Sequence, residues 1–138
     1  MNLKFEILDH TADTGIIAYG ENLEKAFENT ALGMFSLITE LKNIKKDQIR
    51  KINVSATDRD NLLINWLNEL IYLFDVDNLV FSNFDIIRLT DTTISATAYG
   101  EKVDLSRHEI KTGIKAATYH MLKIEENDGC RVQVLFDL

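Results

Sequence analysis

Apolar residues recur along this chain first at every second position and then at three- and four-residue spacing, so strands and helices can be assigned by period. Leu3, Phe5 and Ile7 alternate with Lys4 and Glu6, predicting a half-buried first strand. GIIAYG predicts a second short strand ending at Gly20. Beyond Asn22, placed as an N-cap, Leu23, Ala26, Phe27, Ala31, Met34, Phe35 and Ile38 share one face and predict a helix over about 23–39. Gly33 lies near that face. It costs about 1 kcal/mol relative to Ala in a helix interior, and close backbone packing is the expected reason for it. Ile52, Val54 and Ala56 predict a third strand. Thr57 and Asp60 then resemble a capping box with Asp in place of Glu. The helix they open, over about 58–76, turns Leu62, Leu63, Trp66, Leu67, Leu70 and Phe74 inward, and Trp66 and the Tyr72–Phe74 group are assigned to the core. Two strands follow, near 80–89 and 93–100, joined around Thr90-Asp91-Thr92.

The C-terminal segment predicts a hairpin. Asn127-Asp128-Gly129 makes a three-residue loop with Gly where a left-handed conformation is wanted. That register sets Ile124 opposite Val132, Leu122 opposite Val134, His120 opposite Phe136 and Glu125 opposite Arg131, the last a favourable cross-strand pair. A slip of one residue would oppose Glu125 to Val132 and is rejected. The expected architecture is α+β: a largely antiparallel sheet of six or seven strands with two α-helices on one face.

With 138 residues and no linker, repeat or low-complexity tract, the chain reads as a single domain over 1–138. No apolar run approaches the roughly 20 residues of a membrane span, and Lys4 and Glu6 interrupt any signal-like core at the N-terminus. The single cysteine, Cys130, excludes an internal disulfide and a multi-thiolate metal site within one chain. These features predict a cytoplasmic protein. The net charge of −7 argues against sequence-independent nucleic-acid binding, which rests on neutralising phosphates. Lys42, Lys45, Lys46, Arg50 and Lys51 form the one basic cluster and read as a solvated segment.

No nucleophile motif, phosphate-binding loop, dinucleotide fingerprint or zinc-protease helix is present, so nothing in the motifs argues for an enzyme. Cys130 shares the parity of Val132, Val134 and Phe136 and is expected to be a buried, inert thiol. His120 is expected to be a satisfied core histidine, and His108, in Ser106-Arg107-His108-Glu109, an exposed loop residue. Carboxylates offer more. Asp13 closes a polar loop, "DHTAD", just before a strand. Asp137 has the parity opposite to Val132, Val134 and Phe136, so its carboxylate points away from the core, beside the terminal carboxylate of Leu138. Charges so close need solvent, Lys, Arg or a cation to balance them. Either a hard cation with oxygen ligands, or a frayed solvated tail with Asp13 capping its own turn, accounts for the pattern.

The segments "DHTADTGIIAYGENLEKAFENTALGMFSL" (9–37), "LLINWLNELIYLFD" (62–75), "ATAYGE" (96–101), "IKAATYH" (114–120) and the closing "VLFDL" resemble the archease family in order and spacing over essentially the whole chain. The resemblance implies a sheet with two helices on one side. It also implies an accessory role: activation of an RtcB-type RNA ligase, by promoting guanylylation of the ligase and its multiple turnover in tRNA splicing. It further implies a bound divalent cation, taken as Ca²⁺ in the family, with Asp13, Asp137 and Leu138 as ligands. On that basis the partner is the RNA ligase, direct nucleic-acid binding is not expected, and the chain is not itself a catalyst. One position departs from the family pattern: Gly113 stands before "IKA" where an acidic residue is expected, which bears on a polar contact near the partner. Two other classes compete. A small metal-dependent hydrolase would use Asp13 and His10 around a cation, and a general protein-binding chaperone module would have no particular client.

Overall fold

The computed structural model describes residues 3–9 and 13–138. In chain order the elements are β1 (Phe5–Asp9), β2 (Thr14–Gly20), α1 (Leu23–Ile38), a 3₁₀ turn (Leu41–Asn43), β3 (Gln48–Ser55), α2 (Arg59–Asp77), β4 (Leu79–Leu89), β5 (Thr93–Lys102), β6 (Ala116–Glu125) and β7 (Cys130–Asp137). The α+β class, the antiparallel pairing and the two helices are as the periodicity predicts. The strands divide between two sheets, a four-stranded one in the order β1-β2-β7-β6 and a three-stranded one in the order β3-β5-β4. Both helices bridge them: α1 packs on β2 and β7 of the first sheet and β4 of the second, while α2 packs on β6 and on β3, β4 and β5. Among the described residues no helix is long and apolar enough to cross a membrane.

Local chemistry sets the helix ends. Asn22 accepts the Lys25 N–H at 2.9 Å and caps α1. The cap of α2 is Asp58, which accepts the Asn61 N–H at 2.9 Å; it replaces the expected Thr57/Asp60 box, because Asp58 is the residue with extended backbone ahead of the first turn. Asn78 ends α2 in the left-handed conformation, φ 55° and ψ 39°, donating its N–H to Leu73 and Phe74 carbonyls.

The core forms where the helices meet the sheets. Phe35 packs edge-on to Phe81 with ring centroids 5.7 Å apart, and Trp66 edge-on to Phe84 at 5.8 Å. The buried indole donates to the Phe27 carbonyl at 3.2 Å, tying α2 to α1. A Cβ on Gly33 would stand 2.8 Å from Ile16 Cγ2, so close approach of α1 to β2 is the reason for that glycine. Tyr72, expected inside, is exposed; it lies two residues past Leu70 and so about 200° round the helix from the buried stripe. Leu3 and Ile7 are also exposed, because β1 forms the sheet's edge.

The hairpin register holds only near the turn. Ile124 pairs with Val132 and Glu125 with Arg131 as predicted, and Gly129 takes φ 97°. The expected pairs Leu122–Val134 and His120–Phe136 do not form. Beyond Lys123–Gln133 the register jumps to Thr118–Leu135 and Ala117–Phe136, so residues 119–122 of β6 oppose Val134 alone. Met121 sits in this bulge at φ 57°. His120 is consequently exposed and is not a core histidine.

Candidate functional site

β7 is a central strand, held by β2 on one side and β6 on the other. That placement fixes the end of the chain. Thr14 pairs with Phe136, and Ala116 pairs with Asp137. The Asp137 carbonyl accepts the Lys115 N–H at 2.8 Å. Asp137 therefore belongs to a paired strand and not to a frayed tail. One step outward from the Thr14–Phe136 pair come Asp13, just ahead of β2, and Asp137, the last residue of β7, and adjacent strands lie about 4.8 Å apart. Two carboxylates from opposite ends of the sequence thus arrive at neighbouring strand ends, with Leu138 next in line. Asp13 is half-buried, whereas Asp137 and Leu138 are exposed.

Among the described residues the donors at this place are oxygens: Asp13, Asp137, strand-end carbonyls, and the carboxylate of Leu138 where it ends the chain. Such a set suits a hard cation and offers nothing to a thiophilic one. Among the described residues no group of three or more His, Cys, Asp or Glu side chains gathers to hold a metal. The terminal carboxylate, backbone oxygens or water would have to complete the shell. His10, the base of the hydrolase reading, lies outside the described residues, as do Thr11 and Ala12.

A second charged cluster lies elsewhere, and it overturns the expectation for His108. The His108 side chain is fully buried. Its Nδ1 accepts the Asp104 N–H at 2.9 Å, so the neutral ring carries its proton on Nε2. That proton is shared by Glu101 Oε2 and the Asn43 carbonyl, each 3.0 Å away. Glu101 is buried too and accepts the Lys45 N–H at 2.6 Å and Arg107 Nη1 at 3.2 Å. The Arg107 guanidinium, helped by the Lys45 N–H and His108, holds the Glu101 carboxyl at about 2, below its ordinary 4.5 and against the upward push of burial. The segment after β5 is thereby stapled to the loop around Asn43. Nothing in "SRHE" itself signals burial. The usable signal was a strand-ending Glu101 followed six and seven residues later by Arg107 and His108.

The other candidates fall into place. Cys130 is buried and burial pushes its thiol up, as an inert thiol requires. The lysines at 42, 45, 46 and 51 are exposed, while Arg50 is half-buried and faces Asp77 at 3.6 Å. A Cβ at Gly113 would meet no atom within 4 Å, so an acidic side chain fits there without rearrangement.

Comparison with known proteins adds the lineage. A model of the archease protein family matches residues 5–138. A protein archease of Methanosarcina barkeri is 43% identical over 140 residues, covering 98% of this chain and 96% of its own. One from Saccharolobus islandicus is 45% identical over 129 residues, covering 93% of each. The solution structure of a Methanobacterium thermoautotrophicum protein matches with a TM-score of 0.80 at 35% identity, covering 98% of this chain and 99% of that one. The crystal structure of a Thermotoga maritima archease, named a possible chaperone, matches with a TM-score of 0.64 over 96% of each chain. At 21% identity that last likeness speaks to fold alone.

Proposed function

The chain belongs to the archease family, and from that premise we propose that it activates an RtcB-type RNA ligase, promoting guanylylation of the ligase and its multiple turnover in tRNA exon joining. The observation that supports the reading is the Thr14–Phe136 pair, which sets Asp13 and Asp137 next along adjacent chain segments. Asp13, Asp137 and the Leu138 carboxylate would hold a divalent cation of the Ca²⁺ type; when bound, it would neutralise the clustered charge and tie β2 to the end of β7. The chain supplies no catalytic group in this scheme. Its acidic end docks at the mouth of the ligase's active site and favours the conformation that loads nucleotide, by binding that conformation better than the other. The net charge of −7 complements a client whose RNA channel is lined by Lys and Arg.

The test is guanylylation and repeated turnover by the purified ligase with wild-type protein, Asp13→Ala and Asp137→Ala. Both variants are expected to keep their melting temperatures within a few degrees and to leave the ligase near its unassisted rate. Normal stimulation by both would refute the reading. The name possible chaperone belongs to the Thermotoga protein; a general chaperone role here would instead show as protection of unrelated clients.

A further inference from the structure

The β6 bulge inverts the usual placement of side chains. Gln133, a polar residue, is 6% exposed, while Tyr119 is 55% and Met121 41% exposed. The Gln133 amide donates to the Met121 carbonyl at 3.0 Å. On the other flank the Tyr119 hydroxyl donates to Asn61 in the first turn of α2. Met121 keeps φ 57°, a conformation that L-residues other than Asn and Asp enter at about 1–2 kcal/mol. A buried amide, a helix side chain and a strained backbone thus combine to hold two large apolar side chains out in solvent. Tyr and Met are residue types enriched at protein interfaces, and strain of this kind persists where the surroundings over-determine it. The bulge starts three residues past Ala116, the partner of Asp137, or about 10 Å along the strand from the acidic end.

We propose that residues 119–122 are the apolar half of a protein-docking surface whose acidic half is the chain end, and that the occupant is a protein presenting an apolar pocket rimmed by Lys and Arg. The inference rests on the reading above that this chain acts on a protein partner, and it assigns that partner's footing. Charge selects the occupant: Asp9 at the end of β1 and Asp137 at the end of β7 flank the Thr14 strand end, while Lys115 lies just ahead of β6 and Lys123 within it, so the strand-end side of the surface favours a basic rim and disfavours a phosphate-bearing surface. The rival account is that the bulge only blunts an edge strand against self-pairing.

The two are separated by measuring affinity for the purified RtcB-type ligase, together with self-association, for the full chain carrying Met121→Gly, Tyr119→Ser or Asp137→Ala. Met121→Gly relieves the left-handed strain, so it is expected to melt at or above the wild-type temperature while binding at least tenfold more weakly. Tyr119→Ser is expected to bind comparably weakly. Wild-type affinity in both bulge variants overturns the proposal, as does dimerisation of those variants with ligase binding intact, or a ligase that does not bind the wild-type chain. Weak binding by the bulge variants together with weakened binding by Asp137→Ala supports it, whereas wild-type affinity in Asp137→Ala overturns the acidic half and with it the choice of a basic-rimmed occupant.

Discussion

Glu101 and Asp137 are both carboxylates at strand ends, yet one is buried and answered by Arg107, His108 and the Lys45 N–H, while the other stands exposed beside a second carboxylate's strand. The first arrangement satisfies its charges internally and so serves to fix the segment after β5 against the loop around Asn43. Removing Glu101 would take the carboxylate acceptor from the Lys45 N–H, Arg107 and His108 at once. The second brings like charges to neighbouring strand ends, an arrangement that a cation or a basic partner would stabilise. The contrast separates what builds this fold from what it offers outward. Sequence inspection sees only one side of this contrast: parity already turns Asp137 outward, whereas "SRHE" looks solvated and hides the buried cluster.

The contrast can be broken most sharply at Glu101. Glu101→Ala is expected to lower stability by about 3 kcal/mol, the scale for removing one partner of a buried ion pair, as measured by urea unfolding. Acid titration gives the same result without mutation. A carboxyl at about 2 when folded and near 4.5 when unfolded contributes stability that is fully present above the unfolded value. As pH falls through that window, the contribution is lost. Wild type is therefore expected to lose stability steadily between about pH 5 and pH 2, with Glu101→Gln lacking that share of the slope.

The acidic end should respond differently. Ca²⁺ at a hundred times its dissociation constant is expected to stabilise the wild type by about 2.7 kcal/mol, seen as a rise in melting temperature that EDTA reverses. Asp137→Ala should show no rise, and in the absence of the ion should match the wild type within about 0.5 kcal/mol, as exposed substitutions do. The smallest effect belongs to Gly113→Asp. With open space around the position, its stability change should stay within about 0.5 kcal/mol, and any change in ligase affinity would then report on the partner contact alone.

Much of the fold was legible because it is written in local periods. The faces of α1 and α2, the Asn22 cap and the Gly129 turn depend on residues within a few positions of one another. The division into two sheets was not, since β2–β7 and β3–β5 pair segments far apart in the chain and alternation names no partner. His120 was misplaced because a register fixed at Glu125–Arg131 was extended through a bulge that only the tertiary setting of Gln133 and Asn61 explains. His108 was misplaced because its burial comes from Glu101 and Asn43, neither of them neighbours in sequence. For the candidate site, residue types and parity pointed to Asp13 and Asp137, and the strand register then placed their backbones side by side.

Calorimetric titration of Ca²⁺ into the purified chain, compared with Asp13→Asn and Asp137→Asn, bears most directly on whether those strand ends act together. The account predicts one ion per wild-type chain and at least a tenfold weaker affinity in each variant, with both folds intact by circular dichroism. Equal binding by all three proteins, or none by the wild type, would contradict it.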